Sequence, residues 1–297
     1  MPFRPAEASD DIEAPETNLG PYVLALLLVA CAACAVGLWQ SWPRGAEICA
    51  LAVGDADALV VRVAGRRAVL IDGGGADQGG SRSRALLSHF MESGIKRLDA
   101  VILTGSRARD VGGIPSVLRE MPVGLVLAPA DLRATPHGRI VALLCRATRT
   151  PIGVLADGQV IHLGGGAEIR LRTWRVDRTS TMVGVRVMHG RASAEILNSV
   201  TSAGIRVLRG SPPPRADVLK VPAQGQTWAN PTELLESVGP RVAVVSRAGT
   251  STAKQWRDVI EDLLASGVDV WMTDTDGAIT VRLRNGTVAV HGFRRRR

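Results

Sequence analysis

An arginine-containing loop is the part of this sequence whose residue types and spacing point most directly to chemistry. Arg107, Arg109 and Asp110 stand within four positions, after a short apolar run and before Gly112-Gly113. A guanidinium group binds phosphate oxygens through paired hydrogen bonds, whereas a carboxylate can hold a weak Mg²⁺ contact. We expect Asp110 to pair with one of the two arginines and not to hold a metal. The loop therefore predicts either an anion-binding site or an ordinary surface loop.

Common catalytic motifs are absent from the sequence. The runs Gly73-Gly74-Gly75 and Gly164-Gly165-Gly166 lack the Gly-Lys-Ser/Thr that completes a phosphate-binding P-loop, so we expect turns there. Neither a Gly-x-Ser-x-Gly motif nor a supported Cys–His pair indicates a nucleophilic enzyme. The four cysteines are too few for a disulfide scaffold. Cys49 and Cys145 are predicted to be core residues.

The composition indicates a folded, basic protein. The 297 residues are 46% hydrophobic and 22% charged, which excludes a disordered chain and allows one large domain or two small ones. The net charge is +8, although the first 20 residues are acidic. A basic body favours an anionic partner such as nucleic acid or lipid headgroups. The alternative is a generally arginine-rich composition whose side chains are simply solvated.

The N-terminal part of the chain predicts a membrane anchor. Residues 1–20 are acidic and contain prolines, and we expect a disordered tail there. Residues 22–39 contain no charge, and at ~1.5 Å per residue they approach the ~30 Å of a bilayer core. We therefore predict an uncleaved transmembrane segment over 21–42, with a cleaved lipoprotein signal before Cys31 as the alternative. Orientation is weakly specified, because arginines flank both ends.

The rest of the chain has the alternation of a mixed α/β domain. Short apolar runs bounded by Gly and Asp predict strands, and amphipathic runs predict helices. Asn285-Gly286, between two such runs, predicts a tight hairpin. Both halves combine β-rich stretches with βα units, which indicates two sheets packed face to face with helices outside. The predicted strands cover residues 48–53, 58–63, 67–71, 98–103, 125–128, 159–163, 167–174, 182–188, 193–197, 218–221, 242–246, 268–272, 278–284 and 288–291, and the predicted helices cover 83–93, 114–120, 138–147, 232–238 and 253–266.

Short segments in a particular order carry a resemblance to a known family. They are VGDADA at 53–58, LIDGG at 70–74, LD at 98–99, LT at 103–104, DVGG at 110–113, ADVLKVP at 216–222 and TDTDGAITV at 273–281. Their order and spacing are similar to those of the metallo-β-lactamase fold. More closely, they resemble the hydrolase-like domain of the ComEC-type competence DNA-uptake channel. The resemblance covers residues 46–291 and implies an α/β (α+β) sandwich of αββα type, with the last two segments expected in strands.

The resemblance also implies where a metal centre would lie, and there the sequence departs from the family. Active members hold divalent metals in a loop after the fourth strand, and the metals activate water that attacks phosphodiesters or other esters. Glycine has no donor and arginine is a permanent cation, so neither binds a metal. We therefore expect no metal or other cofactor, and a pseudoenzyme in place of a hydrolase. In this sequence the family's ligand positions are occupied by Gly105, Arg107, Arg109, Asp110, Ala223 and Gln224.

Three aspartates match positions that the family retains, namely Asp57, Asp72 and Asp217. The resemblance implies that residues at the positions of Asp57 and Asp72 support the ligand loop through hydrogen bonds in the active family. For Asp57 and Asp72 we favour the alternative, a structural aspartate in a turn that accepts backbone N–H groups.

The sequence thus predicts a membrane-anchored, metal-free pseudoenzyme that serves as a binding or scaffold module. The expected partners are the membrane, crossed once, and nucleic acid or a DNA-uptake-type complex, as the resemblance implies. The domain is expected on the extracytoplasmic side, and residues 292–297 are predicted to be a solvated basic tail. Two alternatives stay open: a divalent-metal-dependent hydrolase of phosphodiesterase or nuclease type with a non-standard site, and a purely structural partner of a membrane complex. The candidate phosphate contacts are Arg82, Arg84, Arg107 and Arg109.

Overall fold

In the first structural unit, Met1–Trp42, the described residues form one apolar helix, α1, which spans Gly20–Ser41. Its first 18 residues have a mean hydropathy of 2.1, and none of them is buried. By length and composition α1 is a candidate membrane span, as predicted. The predicted acidic tail lies outside the described residues except for Gly20. The computed structural model describes residues 20–41, 45–63, 67–75, 80–248 and 255–294.

The second unit, Pro43–Arg297, contains two β-sheets. Its strands are β1 Ala46–Ala50, β2 Leu59–Val63, β3 Arg67–Ile71, β4 Ala100–Ile102, β5 Val126–Ala128, β6 Ile152–Val154, β7 Val160–Gly164, β8 Ala167–Arg175, β9 Thr181–His189, β10 Ala192–Ile196, β11 Val218–Lys220, β12 Val242–Val245, β13 Asp269–Met272, β14 Ile279–Arg284 and β15 Thr287–Gly292. The first sheet has the order β15-β14-β1-β2-β3-β4-β5-β6, and the second has the order β13-β12-β11-β10-β9-β8-β7.

Each sheet has an antiparallel part and a parallel part. Strands β3 to β6 run parallel in the first sheet, and β10 to β13 run parallel in the second. In the antiparallel part of the first sheet, β14 and β15 form the hairpin that the sequence predicts. Asn285 and Gly286 have φ of 41° and 96°, as a tight turn of the I′ kind requires. Carboxyl ends of parallel strands are where α/β folds place their ligands.

Helices cover the outer faces of both sheets. The helices are α2 Ser81–Glu92, α3 Ala108–Val111, α4 Ile114–Glu120, α5 Pro136–Ala147, α6 Ser202–Gly210, α7 Thr232–Val238, α8 Gln255–Ala265 and α9 Thr273–Asp276, with 3-10 turns at Leu132–Ala134, Pro222–Gly225 and Thr227–Ala229. One apolar layer lies between the sheets, and the alternation of each strand places residues such as Ile48, Val61 and Ile169 there. A second layer packs below α2, α4 and α5, and a third below α6 to α8. The predicted αββα sandwich is confirmed.

The structure also contains elements that the sequence did not predict. Helix α6 begins where the Thr201 side chain accepts the Gly204 N–H, a cap that the sequence pattern did not reveal. Strand β6 has three residues, which are too few to show the alternation of apolar and polar residues that predicts a strand. In the segment 273–281, the first four residues form α9 and not a strand, since the Asp276 carboxylate accepts the Met272 N–H and turns the chain.

The structure also bears on the predictions for the cysteines and for the basic tail. Cys49 and Cys145 are free thiols and are buried, as predicted. The basic tail is only partly described. Arg294 donates its backbone N–H to the Asp276 carbonyl and its guanidinium to the Asp274 carbonyl, so this residue is fastened to α9. Residues 295–297 lie outside the described residues.

Candidate functional site

Polar side chains from both sheets meet at the carboxyl ends of the parallel strands. Asp72 follows β3, and α3 lies shortly after β4. From the second sheet, Asn198 and Ser199 follow β10, and Lys220 ends β11. All four of these residues are buried. Their side chains bond across the two sheets, and they define the candidate site described below.

Asp110 is the centre of the first cluster. It is the third residue of α3, and it accepts the Arg107 backbone N–H at 3.1 Å and the Arg107 Nε at 3.3 Å. The Ser199 hydroxyl donates to the same carboxylate oxygen at 3.1 Å, and it accepts from Arg107 Nη2 at 2.8 Å. The predicted pairing of Asp110 with an arginine is confirmed for Arg107. The pair also caps the short helix, so one carboxylate serves both the loop and the opposite sheet.

Gly105 lies directly against this cluster. A side-chain carbon placed on Gly105 would overlap Ser199 Oγ and the Asp110 carboxylate. The space that a metal-binding side chain would use at this position is therefore filled by two other polar groups.

A second cluster runs from Arg109 into the interior. Arg109 Nη2 donates to Gln224 Oε1 at 2.6 Å, and Gln224 Nε2 makes a long bond of 3.4 Å to Asp57 Oδ2. The other oxygen of Asp57 lies 2.7 Å from the ammonium of Lys220, a close ionic contact between two side chains that are 5% and 2% exposed. Lys220 also donates to the Val221 carbonyl. The cluster thus joins a half-buried arginine at the surface to a buried lysine.

The Asp57 interpretation is corrected by these contacts. We expected a turn aspartate that accepts backbone N–H groups, but its described carboxylate contacts are side chains, Lys220 and Gln224. The physical reason is the buried ammonium. Lys220 is on the inward face of β11 and needs a counterion there.

The turn that carries Gln224 has a strained backbone. Ala223 and Gln224 have φ of 45° and 56°, and Gly225 follows with 83°. Only glycine adopts this region without penalty, and each non-glycine residue there costs on the order of 1–3 kcal/mol. Asn230 holds the turn through the carbonyls of Pro222 and Gln226. Such strain persists where neighbouring contacts enforce it, and it is concentrated at functional sites.

Asp72 is the third aspartate at the site, and its φ is also positive, 57°. Its carboxylate accepts the Thr104 backbone N–H and the Thr104 hydroxyl, both at 2.7 Å, and the Asn198 amide at 2.8 Å. The bond from the Thr104 backbone N–H agrees with our expectation that Asp72 is a structural aspartate that accepts a backbone N–H. Complete burial, followed by the charge of Asp110, raises the pKa of Asp72 to about 8.

The remaining predicted residues lie at three different places. The Arg82 guanidinium packs over the backbone of Gly54 and Gly75, on the loops that carry Asp57 and Asp72. Arg84 is exposed on α2. Asp217 precedes β11 at the opposite end from Lys220, where it accepts the Ser193 N–H and pairs with Arg241. The structure therefore does not bring Asp217 into the site.

Arg247 is a buried cation that the sequence did not reveal. It follows β12, is 5% exposed, and its guanidinium carbon lies 3.5 Å from the centre of the Trp256 ring. It pairs with Asp274 at 3.4 Å. Its neighbour Ala248 donates a backbone N–H to Asp55, so this loop touches the loop that carries Asp57.

The residues at the site do not fit the metal centre that the fold family implies. Two of the expected ligand positions carry guanidinium groups that are permanently charged, and two carry no donor at all, Gly105 and Ala223. Asp110 and Gln224 are already bonded to the arginines. Within the described residues, no group of three or more His, Cys, Asp or Glu side chains is placed to hold a metal ion. Positive charge at this site is supplied by arginine and lysine.

Asn198, Ser199, Lys220 and Arg247 are the site residues that sequence reasoning missed. A weak signal was present for each of them, because all four are polar residues in a buried strand or within three residues after its end. Lys220 gives the clearest signal. It is two residues after Val218 on the same strand, so both side chains lie on the face that points into the layer between the sheets. A charged residue at such a position implies a buried partner.

Comparisons with known proteins agree with this architecture. No family model matches the chain. ComE operon protein 3 of Bacillus subtilis (strain 168) is 25% identical over 266 residues, which are 82% of this chain and 34% of that protein. The chain therefore spans about a third of the length of this relative.

Solved structures show the fold. The metallo-β-lactamase fold protein YhfI from Bacillus subtilis superposes with a TM-score of 0.52 at 12% identity, over 82% of this chain and 99% of that one. CmlA, a diiron β-hydroxylase from Streptomyces venezuelae, gives 0.51 at 13% identity, over 84% of this chain and 55% of that one. The second unit of the chain has the metallo-β-lactamase fold, and the chain is similar to ComE operon protein 3.

Proposed function

We propose that this chain is a membrane-anchored, metal-free pseudoenzyme of the metallo-β-lactamase fold whose site binds an anionic partner without hydrolysing it. The observation that carries the proposal is the pair of clusters around Asp110 and Asp57. Four of the family's six ligand positions are here joined in pairs, Arg107 to Asp110 and Arg109 to Gln224. A site that binds metals keeps its donors free for the ion, whereas these donors are engaged with each other.

Charge supports an anionic partner. Arg107 and Arg109 are at the surface end of the two clusters, and the Arg107 side chain is 43% exposed. A guanidinium has five N–H donors, and the described contacts of Arg109 use one nitrogen of three. Both side chains are fixed by their inner contacts, so little further entropy is lost when they bind phosphate oxygens.

Nucleic acid is the partner that we propose. The chain is basic, and 82% of it is similar to ComE operon protein 3. A sugar-phosphate backbone offers the repeated anionic groups that such a rim would contact. With α1 as a membrane span, we place the second unit on the extracytoplasmic side, beside a membrane complex that handles the nucleic acid.

The proposal is tested by DNA binding and metal content of the full-length protein in detergent micelles. We expect single-stranded DNA to bind without cleavage, with an affinity that falls linearly with salt on a log–log scale by about 0.7 per phosphate contacted. In the double variant Arg107→Ala/Arg109→Ala the slope should become shallower by about one to two such contacts. Elemental analysis should find substoichiometric zinc, manganese and iron.

The control variant is Arg191→Ala/Arg284→Ala, which removes two exposed arginines at the opposite end of the sandwich. It changes the net charge equally and should leave the slope close to that of the unmodified chain. One equivalent of tightly bound metal together with chelator-sensitive nuclease activity would support the hydrolase alternative. No binding to DNA at low salt would leave a purely structural partner as the function.

A further inference from the structure

A groove of about 560 Å³ lies on the outer face of the second sheet, away from the candidate site. Its floor is formed by β8, β9 and β10, and one wall is the proline-containing segment 211–215 between α6 and β11. Pockets of roughly 300–1,000 Å³ are typical of small-molecule sites. We call this cavity the outer groove.

Arginines of the floor hold the wall in place. Arg172 donates to the Pro212 carbonyl at 2.9 Å and to the Ser211 hydroxyl at 2.7 Å. Arg186 donates to the carbonyls of Pro214 and Arg215. The Trp174 indole also donates to the Ser211 carbonyl at 2.8 Å, so guanidinium groups and this indole together hold the wall against the floor.

The arginines of the groove differ in how their charge is balanced. Arg186 pairs with Glu195 at 3.2 Å, and Arg170 at the rim pairs with Glu168 at 2.7 Å. Arg172 has, among the described residues, only neutral contact partners: the Pro212 carbonyl, the Ser211 hydroxyl and the ring of Trp174, whose centre lies 4.9 Å from the guanidinium carbon. Among the described residues, Arg172 is thus the groove arginine with no carboxylate within ion-pair distance, although the carboxyl groups of Asp157 and Glu195 line the same groove.

The groove also offers apolar surface beside this charge. Val160, Met188 and Pro214 line it together with the arginines. A ligand that filled the groove would place an acidic group on Arg172 and an apolar body against these three side chains. The two described bonds of Arg172 use one N–H from each terminal nitrogen, which leaves donors for an oxyanion.

We propose that the outer groove is a binding site for a small molecule that carries one phosphate or carboxylate group on an apolar body. The site is separate from the cluster around Asp110 and does not depend on the function proposed for it. Arg172 binds the acidic group, and the arginine-held wall shapes the apolar part.

The test uses phenyl phosphate and benzoate as probes of the full-length protein in lipid nanodiscs, measured by isothermal titration calorimetry. Phenol and inorganic phosphate serve as controls that measure the binding of the apolar part alone and of the anion alone. We expect at least one of the two aromatic anions to bind more tightly than either part does. The Arg172→Gln variant, which keeps a donor but loses the charge, should weaken that binding at least about tenfold.

Matched variants separate the groove from general charge. Arg170→Gln removes a charge that already has a carboxylate partner and should weaken binding only about two- to threefold. Arg175→Gln, at the exposed end of the same strand, should change nothing. Undiminished binding to Arg172→Gln, or equal losses in all three variants, would overturn the proposal, as would the lack of binding to both anions.

A second measurement uses the unmodified chain, in case Arg172→Gln does not fold. Phenylglyoxal modifies exposed arginines, and peptide mass spectrometry counts the modification at each position. A bound aromatic anion should protect Arg170, at the rim of the groove, and leave Arg175 reactive. Equal modification of Arg170 with and without the probe would place the bound anion elsewhere and overturn the proposal.

Discussion

The candidate site and the outer groove both contain arginines beside buried carboxylates, but they balance charge differently. At the site, Arg107 is bonded to Asp110, and Lys220 to Asp57. In the groove, Arg172 is held by neutral groups and lines a cavity of about 560 Å³. Paired buried charges stabilise one arrangement of the chain, whereas an arginine with no carboxylate in direct contact, at an open cavity, still has donors for the acidic group of a ligand. We therefore expect changes at the site to alter mainly the free energy of unfolding, and changes at the groove to alter mainly ligand binding.

The largest effect should come from the buried ion pair of the site. Lys220→Met leaves the Asp57 carboxylate buried without its cation, and breaking such a pair typically costs about 3–5 kcal/mol. The double variant Lys220→Met/Asp57→Asn removes both charges and should regain much of that loss. Urea unfolding of residues 43–297, which hold all three apolar layers, measures both values.

The control for this prediction is Lys96→Met, which changes an exposed lysine and should leave the unfolding midpoint close to that of the parent. If Lys220→Met were as stable as Lys96→Met, the ion pair would not be part of what holds the site together.

The sequence predicted the sandwich well because its apolar alternation is local. Strand β3 has the predicted bounds, and the Asn285-Gly286 turn forms as expected. The partners in the site were harder, because Asp57 and Lys220 are 163 positions apart and meet only when the sheets pack. A strand pattern shows which face a residue occupies, but not which residue lies opposite. The pairing of Arg107 with Asp110 was accessible because the two lie one helical turn apart.

A second prediction concerns the buried acid of the groove. Burial raises the pKa of Glu195 to about 7, against which the Arg186 charge acts in the opposite direction. The folded chain therefore keeps a proton between about pH 4.5 and 7 that the unfolded chain has lost. Stability must fall as pH rises through this window, by up to about 3 kcal/mol. Glu195→Gln should flatten that part of the curve.

Unfolding midpoints measured from pH 4 to 9 check this result, with exposed Glu236→Gln as the control that keeps the parent profile. Some decline should remain in Glu195→Gln, since the raised pKa of Asp72 acts in the same direction up to about pH 8. An unchanged curve in Glu195→Gln would mean that folding does not raise the pKa of the groove carboxyl, in contrast to that of Asp72 at the site.

The smallest effect is expected where the site has no room. Gly105→Ala places a methyl group onto Ser199 Oγ and the Asp110 carboxylate, both of which Arg107 holds in position. Overpacking of this kind costs about 1–3 kcal/mol, and the lower entropy of the unfolded alanine chain offsets up to about 1 kcal/mol of it. The net loss should therefore be about 1–2 kcal/mol in urea unfolding of residues 43–297.

Two companion variants sharpen that measurement. Gly210→Ala, in α6, adds the same methyl where no atom lies within 4 Å, and it should be neutral or slightly stabilising. Gly105→Ala combined with Ser199→Gly opens the space again and should be more stable than the sum of its two single changes implies, because both act on one contact. If Gly105→Ala were as harmless as Gly210→Ala, the position of Gly105 would be open like the groove. The contrast between a closed site and an open groove would then fail at this residue.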